Sequence, residues 1–246
     1  MNMNVTLRQA QLTELNQALD RLLDATERRW WQQARERLGQ SPDANTAAVL
    51  SSQCKRHLRE RSVPGAEGWN SIELARALLL AQVVGLQPQE ARLALLEQLF
   101  QWGDDQEKIA LLKVLDILDK DGGCLDLALL AGRTSNPRVF GALALDTPYP
   151  SRHYPERAFH QLVLKALGMG LDATRVIGLA QRQCVTLNQL ALDLMDEQIA
   201  AGRPVSPGLP RLIAFDLLSP AQRQRLANLY QQQHLPAEWH GHLAGN

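Results

Sequence analysis

The stretch Asn70-Ser-Ile-Glu-Leu-Ala-Arg-Ala-Leu-Leu-Leu-Ala-Gln-Val-Val-Gly85 decides the fold class of this chain. It opens on Asn70-Ser-Ile-Glu73, a capping box in which asparagine and glutamate satisfy each other's free backbone donors. It closes on Gly85, the residue type that most readily ends a helix. Between them, Ala77-Leu-Leu-Leu-Ala81 falls far short of the ~18 apolar residues of a membrane span and has the length of a core helix face. A helix over residues 70–84 follows.

The same signals recur outward from there. Leu12, Leu15, Leu19 and Leu22 repeat at steps of three and four, as do Leu187, Leu190, Leu194 and, with a slip, Ile199. Phe159, Leu162, Val163, Ala166 and Leu167 give the stripe again. Period-two alternation of β-branched residues is absent, so pattern and propensity both favour helix. Ser41-Pro42, Asn136-Pro137 and Ser219-Pro220 each place a capping side chain before a proline at the first helical position. Asp104-Asp-Gln-Glu107 reads as a second capping box. These marks predict helices over residues 6–38, 42–61, 70–84, 88–101, 105–119, 124–132, 137–145, 153–168, 172–180, 186–201, 209–217 and 220–233. Short connections make successive helices antiparallel neighbours. No strict repeat is present, and irregular pairs of about 40 residues suit a HEAT-like α-α superhelix better than tetratricopeptide or ankyrin arrays. The expectation is an all-α single domain over 1–246. It comprises an N-terminal helical pair (1–62), a helical core (63–202) and a C-terminal cap (203–246), with residues 62–68 and 203–210 as loops rather than linkers.

Composition bounds the function. Lysine plus arginine and aspartate plus glutamate are both 26, a balance that argues against a nucleic-acid binder. The basic run Lys55-Arg56-His57-Leu58-Arg59-Glu60-Arg61 carries an acid and reads as a solvated helix end, where cations suit the dipole. Cys54, Cys124 and Cys184 are odd in number and widely spaced, against a disulfide framework and against a thiolate zinc site. The first residues lack the apolar core of a signal peptide, and a cytoplasmic location is expected. No phosphate-cradling glycine loop, Gly-x-Ser-x-Gly elbow, His-Glu-x-x-His pair or Cys-x-x-Cys is present, so no catalytic residue, metal ligand or cofactor is assigned. The acidic run at 116–121 reads as a helix end and turn rather than a calcium loop.

The least ordinary segment is Asp146-Thr-Pro-Tyr-Pro-Ser-Arg-His-Tyr-Pro-Glu156, where three prolines in a short span hold the backbone extended between two apolar helices. Its side chains Asp146, Tyr149, His153 and Tyr154, with Arg157 and His160 beyond, are candidate ligand-binding residues. Helical spacing puts His153, Arg157 and His160 near one face. Two readings stand: a polar pocket for a small molecule, or a structural corner whose tyrosines bond backbone carbonyls. His240-Gly-His242 at the end of the chain is a weak metal clip without a carboxylate or cysteine. Trp30 and Trp31 point about 100° apart, which makes one a core residue and the other partly exposed.

The chain also resembles a known family, the EboA-domain proteins. The matching text is Arg133-Thr-Ser-Asn136, Val139-Phe-Gly-Ala-Leu-Ala-Leu-Asp146, Pro148-Tyr-Pro150, Tyr154-Pro155-Glu156 and Gln161-Leu-Val-Leu-Lys-Ala166, with weaker similarity over residues 65–215. Asparagine commonly stands before Pro-Tyr-Pro and before the glutamine in that family; here the positions are Thr147 and His160. From this text Arg133, Asn136 and Gln161 join the candidate ligand-binding set. The resemblance implies a helical component of the ebo gene cluster, working beside a UbiA-like prenyltransferase, a sugar-phosphate cyclase, a TIM-barrel protein and a TatD-like hydrolase on a small secondary metabolite. It implies a pathway rather than a reaction. The functional expectation is a non-catalytic accessory or scaffold protein that contacts such partners or carries an intermediate. The alternative is a binding protein or enzyme with a pocket at the Pro-Tyr-Pro corner, acting on a prenylated or cyclitol-type metabolite.

Overall fold

The structure, a computed structural model, describes the backbone of residues 3–243 and side chains from residue 9 onward. Met1, Asn2 and residues 244–246, included in the expected domain, lie outside the described residues. Among the described residues the regular elements are helical throughout, joined by turns and one isolated bridge between Ser62 and Asn70. No helix among them is long and apolar enough to cross a membrane. The chain divides into two compact units, Met1–Leu143 and Ala144–Asn246. The division falls inside the 63–202 segment that the sequence reading kept whole.

The first unit contains α1 (Met3–Leu22), α2 (Ala25–Gln40), α3 (Ala44–His57), α4 (Ser71–Gly85), α5 (Gln89–Trp102), α6 (Asp105–Leu118), α7 (Leu125–Ala131) and most of α8 (Pro137–Ala144). Helix α4 touches α1, α2, α3, α5 and α6. Twelve of its fifteen residues are buried, which is how a helix apolar on every side must sit. Asn70 caps it by accepting from the Glu73 N–H at 2.8 Å, while the Glu73 carboxylate pairs with Lys113 at 2.6 Å instead of closing the predicted box. Lys113 also donates to the Gly68 carbonyl and lies over the Trp69 ring, so the 62–68 break is a pinned loop of this unit.

The single helix expected over 6–38 is two helices. The leucine ladder runs up to the last residue of α1, but Asp24 accepts from the N–H groups of Thr26 and Glu27, and Glu27 answers the Asp24 N–H, each at 2.9 Å. That capping box starts a new helix against the apolar pattern. Trp31 is buried and Trp30 is half-buried, as expected, with Trp30 stacked on His57 at 4.8 Å. At the end of α6 the Asp119 carboxylate accepts from the Gly123 and Cys124 N–H groups, the turn expected there.

The second unit holds α9 (Tyr149–His153), α10 (Glu156–Gly168), α11 (Leu179–Arg182), α12 (Val185–Ala200), α13 (Pro220–Gln231) and α14 (His240–Leu243). Expected helices over 172–180 and 209–217 are instead short 3-10 turns, at 173–175, 209–212 and 215–217; Gly178, at φ of +79°, breaks the first segment ahead of α11, and Pro210 stands in the second. Asn188, buried on α12, clamps this turn region: its Nδ2 donates to the Ala214 carbonyl at 2.9 Å and its Oδ1 accepts from the Ala214 N–H at 2.8 Å. Asn188→Ala leaves both backbone groups without that partner and is expected to lower stability by about 2–3 kcal/mol. Urea denaturation followed by circular dichroism checks it, and an unchanged midpoint refutes the clamp.

Candidate functional site

The Pro-Tyr-Pro corner is not extended. Residues 149–153 form the short helix α9, with Pro150 inside the first turn, where its missing N–H costs nothing. The chain turns at Tyr154-Pro155 and restarts as α10 at Glu156. His153 therefore sits on a different helix from Arg157 and His160, against the single face expected. Asp146 enters the corner with φ of 57°, an uncommon conformation for a residue with a side chain. Its N–H donates to the Arg175 carbonyl and its carboxylate pairs with the Arg175 guanidinium, which hold it there.

Two contacts from later in the chain fix the corner. The Arg182 guanidinium donates to the carbonyls of Ser151 (3.0 Å) and Tyr154 (2.8 Å) and lies over the Phe159 ring. Gly178, with φ of +79°, approaches so closely that a Cβ there would stand 2.6 Å from the Ser151 Cβ. Tyr149 is fully buried with its ring 4.6 Å from that of His153. Burial pushes the Tyr154 phenol well above its usual range. Among the described residues, the Tyr154 hydroxyl and His153 Nε2 are buried without a hydrogen-bond partner.

The remaining candidates disperse. Arg157 and Gln161 are exposed on α10, and Arg133 is exposed in the first unit. Asn136, also in the first unit, caps α8 by accepting from the Arg138 N–H and donates to Asp105. His160 is buried and faces Cys184, whose Sγ lies 3.6 Å from His160 Nε2 and 3.6 Å from Glu156 Oε1. Glu156 and His160 are four residues apart on one face of α10, a spacing the sequence displays. Cys184 reaches them from the start of α12, a juxtaposition that no local spacing signals. The rings of His240 and His242 lie against different aromatics, Tyr230 and Phe215.

A second feature went unread in the sequence. In the first unit, helices α3 to α6 enclose a cavity of about 40 Å³, by this measure room for roughly three waters or one small anionic group. Its walls include Ala47, Leu80, Leu99 and Leu111, with the exposed Trp102 and the buried Arg76 also in its lining. Arg76 is 5% exposed, and among the described residues its one hydrogen-bond acceptor is the Ser51 carbonyl, at 3.2 Å from Nε. No carboxylate forms an ion pair with it among those residues. Glu107, on the cavity wall, spends Oε2 on the Asp104 N–H. Burial pushes the neighbouring Cys54 thiol up to about 12, so it offers no negative charge at neutral pH. Glu73, one turn away on α4, is also buried but is paired with Lys113. An unpaired guanidinium this deep is costly unless something anionic meets it. The only trace of it in the sequence is an arginine inside a strongly apolar helix.

Among the described residues the protein is thus all-helical, with a cationic group set in the lining of a largely apolar cavity. The sequence matches the family described as metabolite traffic protein EboA over residues 3–214, and the chain belongs to that family. No curated protein and no solved structure gave a significant match.

Proposed function

We propose that this chain is a non-catalytic accessory protein that binds a small anionic metabolite and passes it to a partner protein of the same pathway. The observation that carries this is Arg76, a buried cation without a carboxylate partner among the described residues, which lines a largely apolar cavity together with the exposed Trp102. A guanidinium fits phosphate or carboxylate oxygens through parallel hydrogen bonds, and the apolar walls suit the carbon skeleton behind them. The cavity as it stands admits the anionic group alone, so the rest of the molecule lies outside it, with the exposed Trp102 of the lining as its contact. The description of the family as a metabolite traffic protein supports this role. Three unpaired cysteines are in keeping with a cytoplasmic location. HEAT-like antiparallel pairing is proposed for α3–α4, α4–α5 and α5–α6, each pair being in contact.

A second reading rests on the corner, where the buried Tyr154 hydroxyl and His153 Nε2 suit a small polar molecule that supplies their partners. A thermal-shift series with inorganic phosphate, pyrophosphate, a prenyl diphosphate, a sugar phosphate and an uncharged cyclitol separates the two. Stabilisation by the anions, lost in Arg76→Met and kept in His153→Ala, is the expected result. Stabilisation by the cyclitol, lost only in His153→Ala, replaces the first reading with the second. No shift with any compound sinks both.

A further inference from the structure

We infer that Glu156, His160 and Cys184 in the second unit bind one thiophilic divalent cation of the zinc type. The three donor atoms lie within 4.8 Å of one another. For tetrahedral zinc with Zn–S of ~2.3 Å and Zn–N or Zn–O of ~2.0–2.1 Å, the S···N and S···O edges come to about 3.5–3.6 Å. Both edges are already 3.6 Å here. The remaining edge, between Glu156 and His160, closes by rotation of the Glu156 side chain, which is exposed at the first turn of α10 and free to adjust.

Two other uses of the cluster fit less well. As a hydrogen-bond set, one S–H proton can serve only one of the two acceptors facing it. As a nucleophilic pair, Cys184 and His160 would need the carboxylate on the far ring nitrogen, orienting the base. Here the carboxylate stands against the sulfur instead. A divalent cation suits the arrangement, because thiolate and carboxylate together match its two positive charges. On loading, Cys184 loses its thiol proton to solvent, His160 coordinates through unprotonated Nε2 and Glu156 through a carboxylate oxygen. Three protein ligands beside an exposed residue leave the fourth position to water or to an oxygen or nitrogen donor from solution, as in exchangeable rather than closed structural sites. The site shares no residue with the Arg76 cavity, so either proposal can fail without the other.

Cobalt(II) added to the reduced, full-length protein reads the site directly. One equivalent is expected to give a thiolate-to-cobalt charge-transfer band with four-coordinate visible bands, and zinc is expected to bleach both. Cys184→Ser removes the charge-transfer band while the far-ultraviolet circular dichroism stays native. Glu156→Gln, on an exposed residue, keeps the band but weakens zinc by more than about tenfold, since even outer-sphere partners are worth that much. Absence of the band in the unmodified protein at stoichiometric cobalt overturns the proposal. So does a band that survives in Cys184→Ser, which would assign the metal to other cysteines.

Discussion

Arg76→Met is expected to stabilise the unliganded protein by about 1–3 kcal/mol and to weaken anion binding by at least about 30-fold. Three terms compete. Removing the guanidinium relieves a desolvation cost of several kcal/mol per buried ion, uncompensated among the described residues by any carboxylate within ion-pair distance. Against that stands one charged hydrogen bond to the Ser51 carbonyl, worth about 1.5–3 kcal/mol. Methionine has a similar length and enough flexibility to fill the space among Leu79, Leu80 and Leu99. At 5% exposure Arg76 keeps only a small part of its surface in contact with water. The desolvation term therefore wins. Chemical denaturation with and without phosphate or pyrophosphate measures both effects. A variant less stable than the parent by more than about 1 kcal/mol, with anion binding intact, would make Arg76 a purely structural residue.

Glu27 carries the opposite expectation. Its carboxylate is buried and accepts from the Asp24 and Arg59 N–H groups at 2.9 Å while pairing with Arg61. It joins the start of α2 to the segment after α3. Glu27→Gln keeps the size but turns an amide donor toward a guanidinium whose Nε already lacks a partner. The loss is expected to be about 2–4 kcal/mol, or roughly 5–12 °C in Tm. Burial alone would raise the Glu27 pKa, but the backbone hydrogen bonds and Arg61 together outweigh it and hold the group below its ordinary 4.5. A depressed folded value means that the carboxylate's contribution is full above about 4.5 and drains away as pH falls through the lower folded value. The stability gap between parent and variant should therefore be constant near neutrality and close in acid. A gap that is small at neutral pH, or equally wide in acid, contradicts the assignment.

Helix α4 was legible almost to the residue because its apolar run, asparagine cap and closing glycine agree. The break between α1 and α2 was hidden because Leu19 and Leu22 hold the stripe up to the end of α1, with no proline or glycine directly after them, while Asp24 and Glu27, only three residues apart, start a new helix. The corner was misread as extended because proline restricts the residue before it, yet proline is also at home in a first helical turn. The two sites were hidden for different reasons. Arg76 looked like any charged helical residue until α4 proved to have almost no solvent face. Half of the cation cluster, Glu156 and His160, shows in the four-residue spacing, whereas Cys184 arrives through a fold contact 24 to 28 residues distant.

The hold of Arg182 on the corner also sets an order of assembly. During synthesis the carbonyls of Ser151 and Tyr154 are made well before the guanidinium that receives them, 31 and 28 residues further on. Until then, Tyr149 and Tyr154 have no finished corner to close over them. A ribosome paused between these points presents α9 and α10 as an incomplete surface, open to a chaperone or a protease. Truncations ending before residue 182 should be degraded in the cell, whereas those ending after α12 should begin to resist.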